Sequence, residues 1–599
     1  METVTSRIER LRVIMKEKGL DAFVIPSTDP HFGEYIQQRF KVREYLSGFT
    51  GSAGTLAVTR EDAALWTDSR YFSQAAEELN GSGVKLMRLK VAGTPLMEEW
   101  LLSQLDAGGK VGIDGSLFSL LKFEILSREC DGLEVVIVED FFDEIWSDRP
   151  KLRAGKVRVV PDEISGATAG EKLQKVTSTL NIQGKYYYIL SSCDDIAWLC
   201  NIRGSDIDFN PLAYSYAVFD KKVIRLFISP ESVDEEHREI LKREGIEVHD
   251  YDSFHLFLHS MDPGIIRCFS DTNISVKNYK ALHCNAGNSM KDTIPGGVTA
   301  FLKAHKNDVE IEGFRKAMLN DGIAWVKFLR YLEDSLESSA DELYEYSIAQ
   351  KLIEFRKENN DYLGESFSPI VAYGRNAALP HYQYSSRKKV KVERKSFLMV
   401  DSGAHYPYGT TDTTRTIVCG RITKEQRGDF TRVLKGMINL SRALFILGTR
   451  GASLDILARG EVMRGGKVYM HGTGHGIGHN LCVHEGPQSI RMEENPVAIA
   501  PGMILSNEPA VYKEGEYGIR TENTLLCKEM FCNNKECFYG FETISFVPLD
   551  LRAVDVGMLS RDEIKWINGY HREVYKKLSP FLDESLKRWL SEKTSDIGD

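Results

Sequence analysis

Four acidic residues stand at mirrored positions about two turns near the C-terminal end of the chain, and the strands that carry them must fold around something that neutralises them. The apolar run Phe397-Leu398-Met399-Val400 reads as a strand ending at Asp401, and a loop containing Gly403, Pro407 and Gly409 leads into the β-branched run Thr410 to Ile417, which holds Asp412. A hairpin centred between Tyr406 and Pro407 sets Asp401 directly opposite Asp412, with Cβ atoms about 5 Å apart. The runs Gly502 to Pro509 and Tyr517 to Asn523 repeat the design about Gly515, placing Glu508 opposite Glu522. Facing carboxylates repel each other, so both pairs call for cations.

Four of the fourteen histidines crowd into His471-Gly472-Thr473-Gly474-His475-Gly476-Ile477-Gly478-His479 and Val483-His484-Glu485-Gly486-Pro487. Five glycines between 471 and 487 argue against a helix there. The interval from His471 to His475 matches a zinc-binding helix in spacing only, because position 472 is Gly where that motif needs a Glu base. His479 reads as a surface or supporting residue rather than a ligand.

At 599 residues the chain exceeds what one hydrophobic core fills. A helix over residues 4–18, stopped by Gly19, leads into the strand Ala22 to Ile25, a polar loop, a helix around Glu34 to Leu46, the loop Ser47-Gly48-Phe49-Thr50-Gly51-Ser52 and a strand near Thr55 to Val58. The same order returns as Tyr187-Tyr188-Ile189-Leu190, Ser191-Ser192, a helix through Ile196-Ala197-Trp198-Leu199, the loop Asn201 to Ser205 and the strand Tyr216 to Phe219. Residues 1–155 and 156–300 therefore read as two α/β domains of one design. A third unit, 301–599, opens with a long amphipathic helix carrying Val309, Phe314, Met318, Ile323 and Val326 near one face. Capping boxes at Ser339-Ala340-Asp341-Glu342 and Ser560-Arg561-Asp562-Glu563 open later helices.

The apolar share of 42% and charged share of 27% suit a chain that folds throughout. With a net charge of −10 and no basic block beyond Arg387, Lys388, Lys389 and Lys391, no nucleic-acid partner is expected. The N-terminal segment lacks the apolar core of a secretory leader, and no long apolar run occurs, so neither secretion nor a membrane span is expected. Ten cysteines without a CxxC pair suit reduced thiols in a cytoplasmic protein, and the even spacing of Cys527, Cys532 and Cys537 lacks the close pair of a zinc module. His255 and His259, near Asp250 and Asp252, lie among Phe254, Leu256, Phe257 and Leu258 and read as a packed segment rather than a metal patch.

With Asp401, Asp412, His475, Glu508 and Glu522 in that order within matching local sequences, the third unit resembles the pita-bread metallopeptidases, whose ligands run Asp, Asp, His, Glu, Glu. The full length resembles the three-domain aminopeptidase P (Xaa-Pro aminopeptidase) family: two creatinase-N-like α/β domains, then a pita-bread catalytic domain. The match covers Ser47 to Phe72, including Trp66-Thr67-Asp68-Ser69-Arg70-Tyr71-Phe72, the segment Asp195 to Tyr216, and almost everything from Lys303 to Glu563. It implies a homodimer formed through the large domain and an enzyme that releases the N-terminal residue from peptides with proline in the second position. It also implies that Asp412 and Glu522 bridge two ions, Asp401 holds one, and His475 with Glu508 holds the other. His381, in Leu379-Pro380-His381-Tyr382, and His484 match residues that steady the tetrahedral intermediate, His471 one near the proline pocket, and Arg70 one that reaches the substrate of a partner subunit.

The physical reading agrees with this resemblance. Four carboxylates, two divalent ions, a neutral imidazole and a bridging hydroxide total about −1, which a low-dielectric cleft tolerates. Oxygen donors with a single imidazole favour Mn²⁺, with Zn²⁺ or Co²⁺ as substitutes. Two ions share one water and lower its pKa toward about 7, so a metal-bridging hydroxide is the expected nucleophile, with Glu508 as the base that takes its proton. Arg520, two residues before Glu522 on the same strand face, is placed to orient a ligand carboxylate. An Xaa-Pro bond has no N–H, so a site built for the ring serves it where one that grips the amide proton fails.

Prolidase shares the five ligands but acts on dipeptides and usually carries one N-terminal domain, which the roughly 300 residues ahead of this catalytic unit disfavour. A catalytically silent peptide- or histone-binding module of the same fold typically loses ligands, and all five are present here.

Overall fold

The computed structural model describes residues 3–283, 287–338, 342–387 and 389–598, so the capping box at Ser339 to Asp341 and the basic residue Lys388 lie outside the described residues. The chain forms two compact units, Met1–Val160 with Ala167–Ala300, and Pro161–Gly166 with Phe301–Asp599.

In the first unit, helix α1 (Val4–Glu17) starts where the Thr3 hydroxyl accepts from the Ser6 N–H, buries Ile8, Leu11, Ile14 and Met15, and ends ahead of Gly19 at φ +66°. Six strands follow: β1 (Ala22–Pro26), β2 (Thr55–Thr59), β3 (Ala63–Thr67), β4 (Lys85–Arg88), β5 (Lys110–Asp114) and β6 (Glu134–Val138), ordered β4-β3-β2-β1-β5-β6. Strands β7 (Tyr186–Leu190), β8 (Ser215–Phe219), β9 (Ile224–Ile228), β10 (Ile246–Asp250), β11 (Ile266–Phe269) and β12 (Ser289–Lys291) form a second sheet ordered β10-β9-β8-β7-β11-β12. The senses also agree. In both sheets the first strand pairs antiparallel with the second and the second with the third, and the remaining pairings are parallel. One strand plan is used twice, each time around a buried apolar first strand.

The helix expected around Glu34 to Leu46 is confined to Val42–Ser47, behind a 3₁₀ turn at Gln38–Phe40. Asp29 accepts from the N–H groups of His31 and Gly33, and this local turn takes up the chain where the helix would otherwise begin. His255 and His259 lie on Phe254–Ser260, which buries Phe254 and Leu258, and no metal-holding group among the described residues includes them.

The second unit opens with α2 (Asp308–Glu337), capped reciprocally by Asn307 and Glu310. It buries Phe314, Met318 and Val326, and Ile323 packs at the edge of the same core; Val309, in the first turn, is 41% exposed instead. Strands β13 (Ile370–Tyr373), β14 (Phe397–Ser402) and β17 (Thr413–Val418) form one antiparallel sheet with β14 central, and β15 (Ala404–Tyr406) and β16 (Gly409–Thr410) close the hairpin between β14 and β17. Helices α3 (Lys424–Ser441) and α4 (Gly451–Arg464) flank a larger sheet. Its strands are β18 (Leu444–Ile446), β19 (Gly474–Gly476), β20 (Glu485–Ile490), β21 (Ile504–Asn507), β24 (Asn523–Cys532) and β25 (Cys537–Thr543), ordered β18-β25-β24-β21-β19-β20. Between β21 and β24 the chain makes the ribbon β22 (Ala510–Lys513) and β23 (Tyr517–Arg520). Helix α5 (Arg561–Leu578) carries the capping box of Ser560 and Glu563.

The reduced-thiol expectation fails at one pair. Cys532 and Cys537 face each other across the β24–β25 hairpin, with Cα atoms 4.0 Å apart, and form a disulfide. Which cysteines become cross-strand neighbours follows from hairpin register, which cysteine spacing alone does not reveal.

Candidate metal centre

The first acidic pair departs from the expected register. The chain turns at Pro407-Tyr408, with Tyr406 paired to Gly409 and His405 to Thr410, and the same register continues to Ser402 opposite Thr413 and Asp401 opposite Thr414. Proline suits the first central position of such a turn, which moves the hairpin centre one residue beyond the expected point. Asp412 consequently lies two positions from Asp401's partner, and the two acids are diagonal rather than direct neighbours.

The second pair follows the mirror about Gly515. Asn507 pairs with Asn523 on one side of the acids and Ala510 with Arg520 on the other, so Glu508 and Glu522 oppose each other in the gap between the two ladders. Strand β17 joins the pairs: the Glu522 N–H donates to the Thr414 carbonyl, and Thr414 Oγ1 donates to Glu522 Oε2 at 2.7 Å.

His475 comes in on β19, which pairs with β21 and β20, and its N–H donates to Ser506 Oγ. Its Nδ1 is 3.0 Å from the Gly476 carbonyl, while Nε2 lies 3.4 Å from Asp412 Oδ2 and 3.5 Å from Glu508 Oε1. Donor atoms of Asp412, His475 and Glu522 all fall within 4.8 Å of one another. Arg520 closes the other side. It donates to Asp401 and to the Tyr512 hydroxyl, its Nε is 3.9 Å from Glu508 Oε2, and its terminal nitrogens are 3.5 Å from the carbonyl of Pro380.

The remaining expected residues fall at different places. His484 packs edge-on against His475 with ring centroids 4.4 Å apart. His381 is half-buried and follows Pro380, the residue that faces Arg520. His471 Nε2 is 2.9 Å from the Tyr512 hydroxyl. His479 is buried against Phe314, outside the converging donors. Arg70, in the first unit, is held by both carboxylate oxygens of Asp68 just ahead of the helix Phe72–Glu78.

Electrostatics show how strongly this cluster attracts positive charge. Burial raises Asp401, Glu508 and Glu522, each further raised by neighbouring acids and opposed by Arg520 at the first two; Glu508 is pushed up to about 7 and Glu522 well above the carboxylate range. Burial alone would lower His475, but its contact with Asp412 and the charge of Glu508 overcome this and raise it to about 9. Asp401 Oδ1 and Glu522 Oε1 are buried with no hydrogen-bond partner among the described residues. Buried carboxylate oxygens without donors are costly unless a cation satisfies them, so the donor set fits hard divalent ions.

Profiles of known families match along the chain. The Creatinase/Prolidase N-terminal domain matches residues 7–145 and again 148–310, metallopeptidase family M24 matches 312–529, and the C-terminal region of peptidase_M24 matches 537–597. A probable Xaa-Pro aminopeptidase P of Fusarium vanettenii is 38% identical over 99% of this chain and 99% of its own length, and aminopeptidase P2 of Arabidopsis thaliana is 36% identical over 99% and 89%. The chain belongs to the Xaa-Pro aminopeptidase P family. A crystal structure of a family member from Caenorhabditis elegans, described as a cytosolic X-prolyl aminopeptidase with a di-nuclear active site, covers 100% of both chains at 33% identity and a TM-score of 0.95. The architecture is that of the Xaa-Pro aminopeptidase P family, creatinase-type N-terminal domains followed by a pita-bread catalytic domain.

Sequence reasoning missed several residues that shape the site of this Xaa-Pro aminopeptidase P family member. Tyr512 links His471 to Arg520, and Thr416 both donates to the Arg520 carbonyl and accepts from its N–H. The period of two was the available signal: Tyr512 shares a strand face with Ala510, the partner of Arg520, and Thr414 and Thr416 share one with Asp412.

Proposed function

We propose that the chain is a dinuclear metallo-aminopeptidase that removes the N-terminal residue from peptides with proline second. The observation that carries this is the convergence, in one buried cluster, of carboxylates and an imidazole from separate strand pairs, two of whose oxygens lack donors. Full-length likeness to Xaa-Pro aminopeptidases supports this reading over a dipeptidase. Asp401, Asp412, His475, Glu508 and Glu522 would hold two divalent ions, with Mn²⁺ favoured by the donor set and Zn²⁺ or Co²⁺ as substitutes. Such a pair of ions supplies Lewis acidity and an acidified water.

The residues around it do the rest. Asp412 and Glu522, whose donor atoms fall within 4.8 Å of one another and of His475, would lie between the two ions, and Glu508, beside them, would serve as the base toward the attacking water. His381 and His484 steady the charge that develops on the scissile carbonyl oxygen, and His471 lines the proline pocket. Arg520 fixes Asp401, and Arg70 contacts the substrate of a partner subunit. The domains are 1–155, 156–300 and 301–599, in keeping with the spans of the family profiles.

The chain works as a cytoplasmic homodimer. The cytosolic description of the nematode relative supports the compartment. Support for the dimer comes from the second unit, where edge strand β18 and helix α4 leave Leu444 53%, Ile456 55% and Leu457 37% exposed along one groove of about 440 Å³. Metal analysis coupled to turnover of Xaa-Pro-Xaa and Xaa-Pro peptides tests the function. Two ions per chain and preference for the tripeptide are expected; preference for the dipeptide would overturn the assignment.

A further inference from the structure

Behind the hairpin that carries Asp401 and Asp412 lies a buried ionic cluster that touches neither acid. Arg356, on the helix Glu345–Lys357, is fully buried; its Nε and terminal nitrogens donate to both oxygens of Asp321 on α2, at 2.7 and 3.3 Å, and to Glu365 at 2.6 Å. The same guanidinium donates to Ser402 Oγ and to the Gly403 carbonyl, the two residues after Asp401, and Ser402 Oγ also donates to Glu365. On the other strand Thr411 Oγ1, one residue before Asp412, donates to Asp321 Oδ2 at 2.9 Å. The strands approach closely here, since a Cβ on Gly403 would lie 1.9 Å from the Thr411 carbonyl oxygen.

A buried guanidinium with two carboxylates is an expensive way to fill a core that apolar side chains fill as well. What an apolar packing cannot do is fix direction. The planar fork of Arg356 reaches one strand of the hairpin and the carboxylate of Asp321 the other, so both strands are referenced to two helices through oriented bonds. We infer that Arg356 and Asp321 are positioning residues for the metal centre: through Ser402, Gly403 and Thr411 they set the separation and orientation of Asp401 and Asp412, and thereby the affinity and geometry of the ions those acids hold. This rests on the proposed metal site.

The decisive variants are Thr411→Val, which at nearly constant volume deletes the bond to Asp321 and also the one the hydroxyl accepts from the Ala404 N–H, and Thr411→Ser, which restores both. Chelator-treated proteins are titrated with Mn²⁺ by calorimetry and with Co²⁺ by visible absorption, and peptide turnover is measured on the reloaded enzymes. Wild type and Thr411→Ser should bind two ions alike, whereas Thr411→Val should bind about 10–100-fold more weakly, show a changed Co²⁺ spectrum, and lose kcat with KM held. Arg356→Lys, which keeps the charge and loses the fork, should move the same readouts in the same direction. If Thr411→Val matches Thr411→Ser in affinity and spectrum, whatever its melting temperature, the cluster is a stability element only and the inference fails. Wild type that binds no ion sinks the metal site itself, a distinguishable result.

Discussion

His475 Nε2 lies 3.4 Å from Asp412 Oδ2, while Nδ1 of the same ring faces the Gly476 carbonyl at 3.0 Å. In the neutral ring the carbonyl keeps the proton on Nδ1, and the lone pair of Nε2 then points into the acids. Ring and carboxylate can both be satisfied there by a shared cation. Chelation should therefore abolish peptide turnover and Mn²⁺ should restore it, while Asp412→Ala or Glu522→Ala should remove both bound metal and rate. Full activity of metal-free Asp412→Ala protein would contradict the assignment.

Arg520 offers a second check, because it bonds Asp401 and Tyr512 at once and lies beside Glu508. Lysine keeps the charge but has no fork, so it cannot hold both partners. Arg520→Lys should lower kcat about 10–100-fold with the circular dichroism spectrum unchanged. A kcat within about twofold of wild type would show that the fork is dispensable.

How far the sequence reached depended on whether a feature was local. Two strands in each half of the first unit were legible because a Gly- and Ser-containing loop separates them, while the other four strands of each sheet and their order were not, and the box at Ser560 and Glu563 marked a helix start correctly. Glu508 and Glu522 could be set opposite each other because Gly515 lies at the centre of their ribbon. Asp401 and Asp412 could not, since several loop residues were able to form the turn and Pro407 took its first central position. Arg356 and Asp321 left no trace in any local pattern. They are 35 residues apart and meet only when two helices pack behind the hairpin.

The groove in which Leu444, Ile456 and Leu457 lie beside Asn439, Arg442, Glu461 and Arg464 yields a prediction about assembly. Leu444 and Ile456 project from an edge strand and a helix into one concave surface, an arrangement that a second copy would bury. Leu444→Glu combined with Ile456→Glu should convert the proposed homodimer to monomers in sedimentation velocity, with folding of each unit retained. Wild type that sediments as a monomer would overturn the proposed homodimer, and a variant that sediments like a dimeric wild type would rule out this groove as its contact.

His571, on α5, governs an acid response remote from the proposed metal centre. It is buried, its Nε2 accepts from the Leu549 N–H, and burial, reinforced by Arg415, lowers it to about 4. Below pH 6.5 the unfolded chain takes up a proton that the folded chain refuses, so the unfolded state binds more protons and stability falls as pH drops toward 4. Over the first unit and a half of that window, to pH 5, the loss is about 2 kcal/mol. His571→Gln keeps an acceptor for Leu549 but cannot titrate. The variant should be less stable than wild type at pH 7.5, and the gap in unfolding free energy should shrink by about that amount at pH 5. A gap that stays constant between the two pH values would mean that His571 takes up its proton as readily in the fold as in the unfolded chain, which an Nε2 that accepts from the Leu549 N–H does not permit.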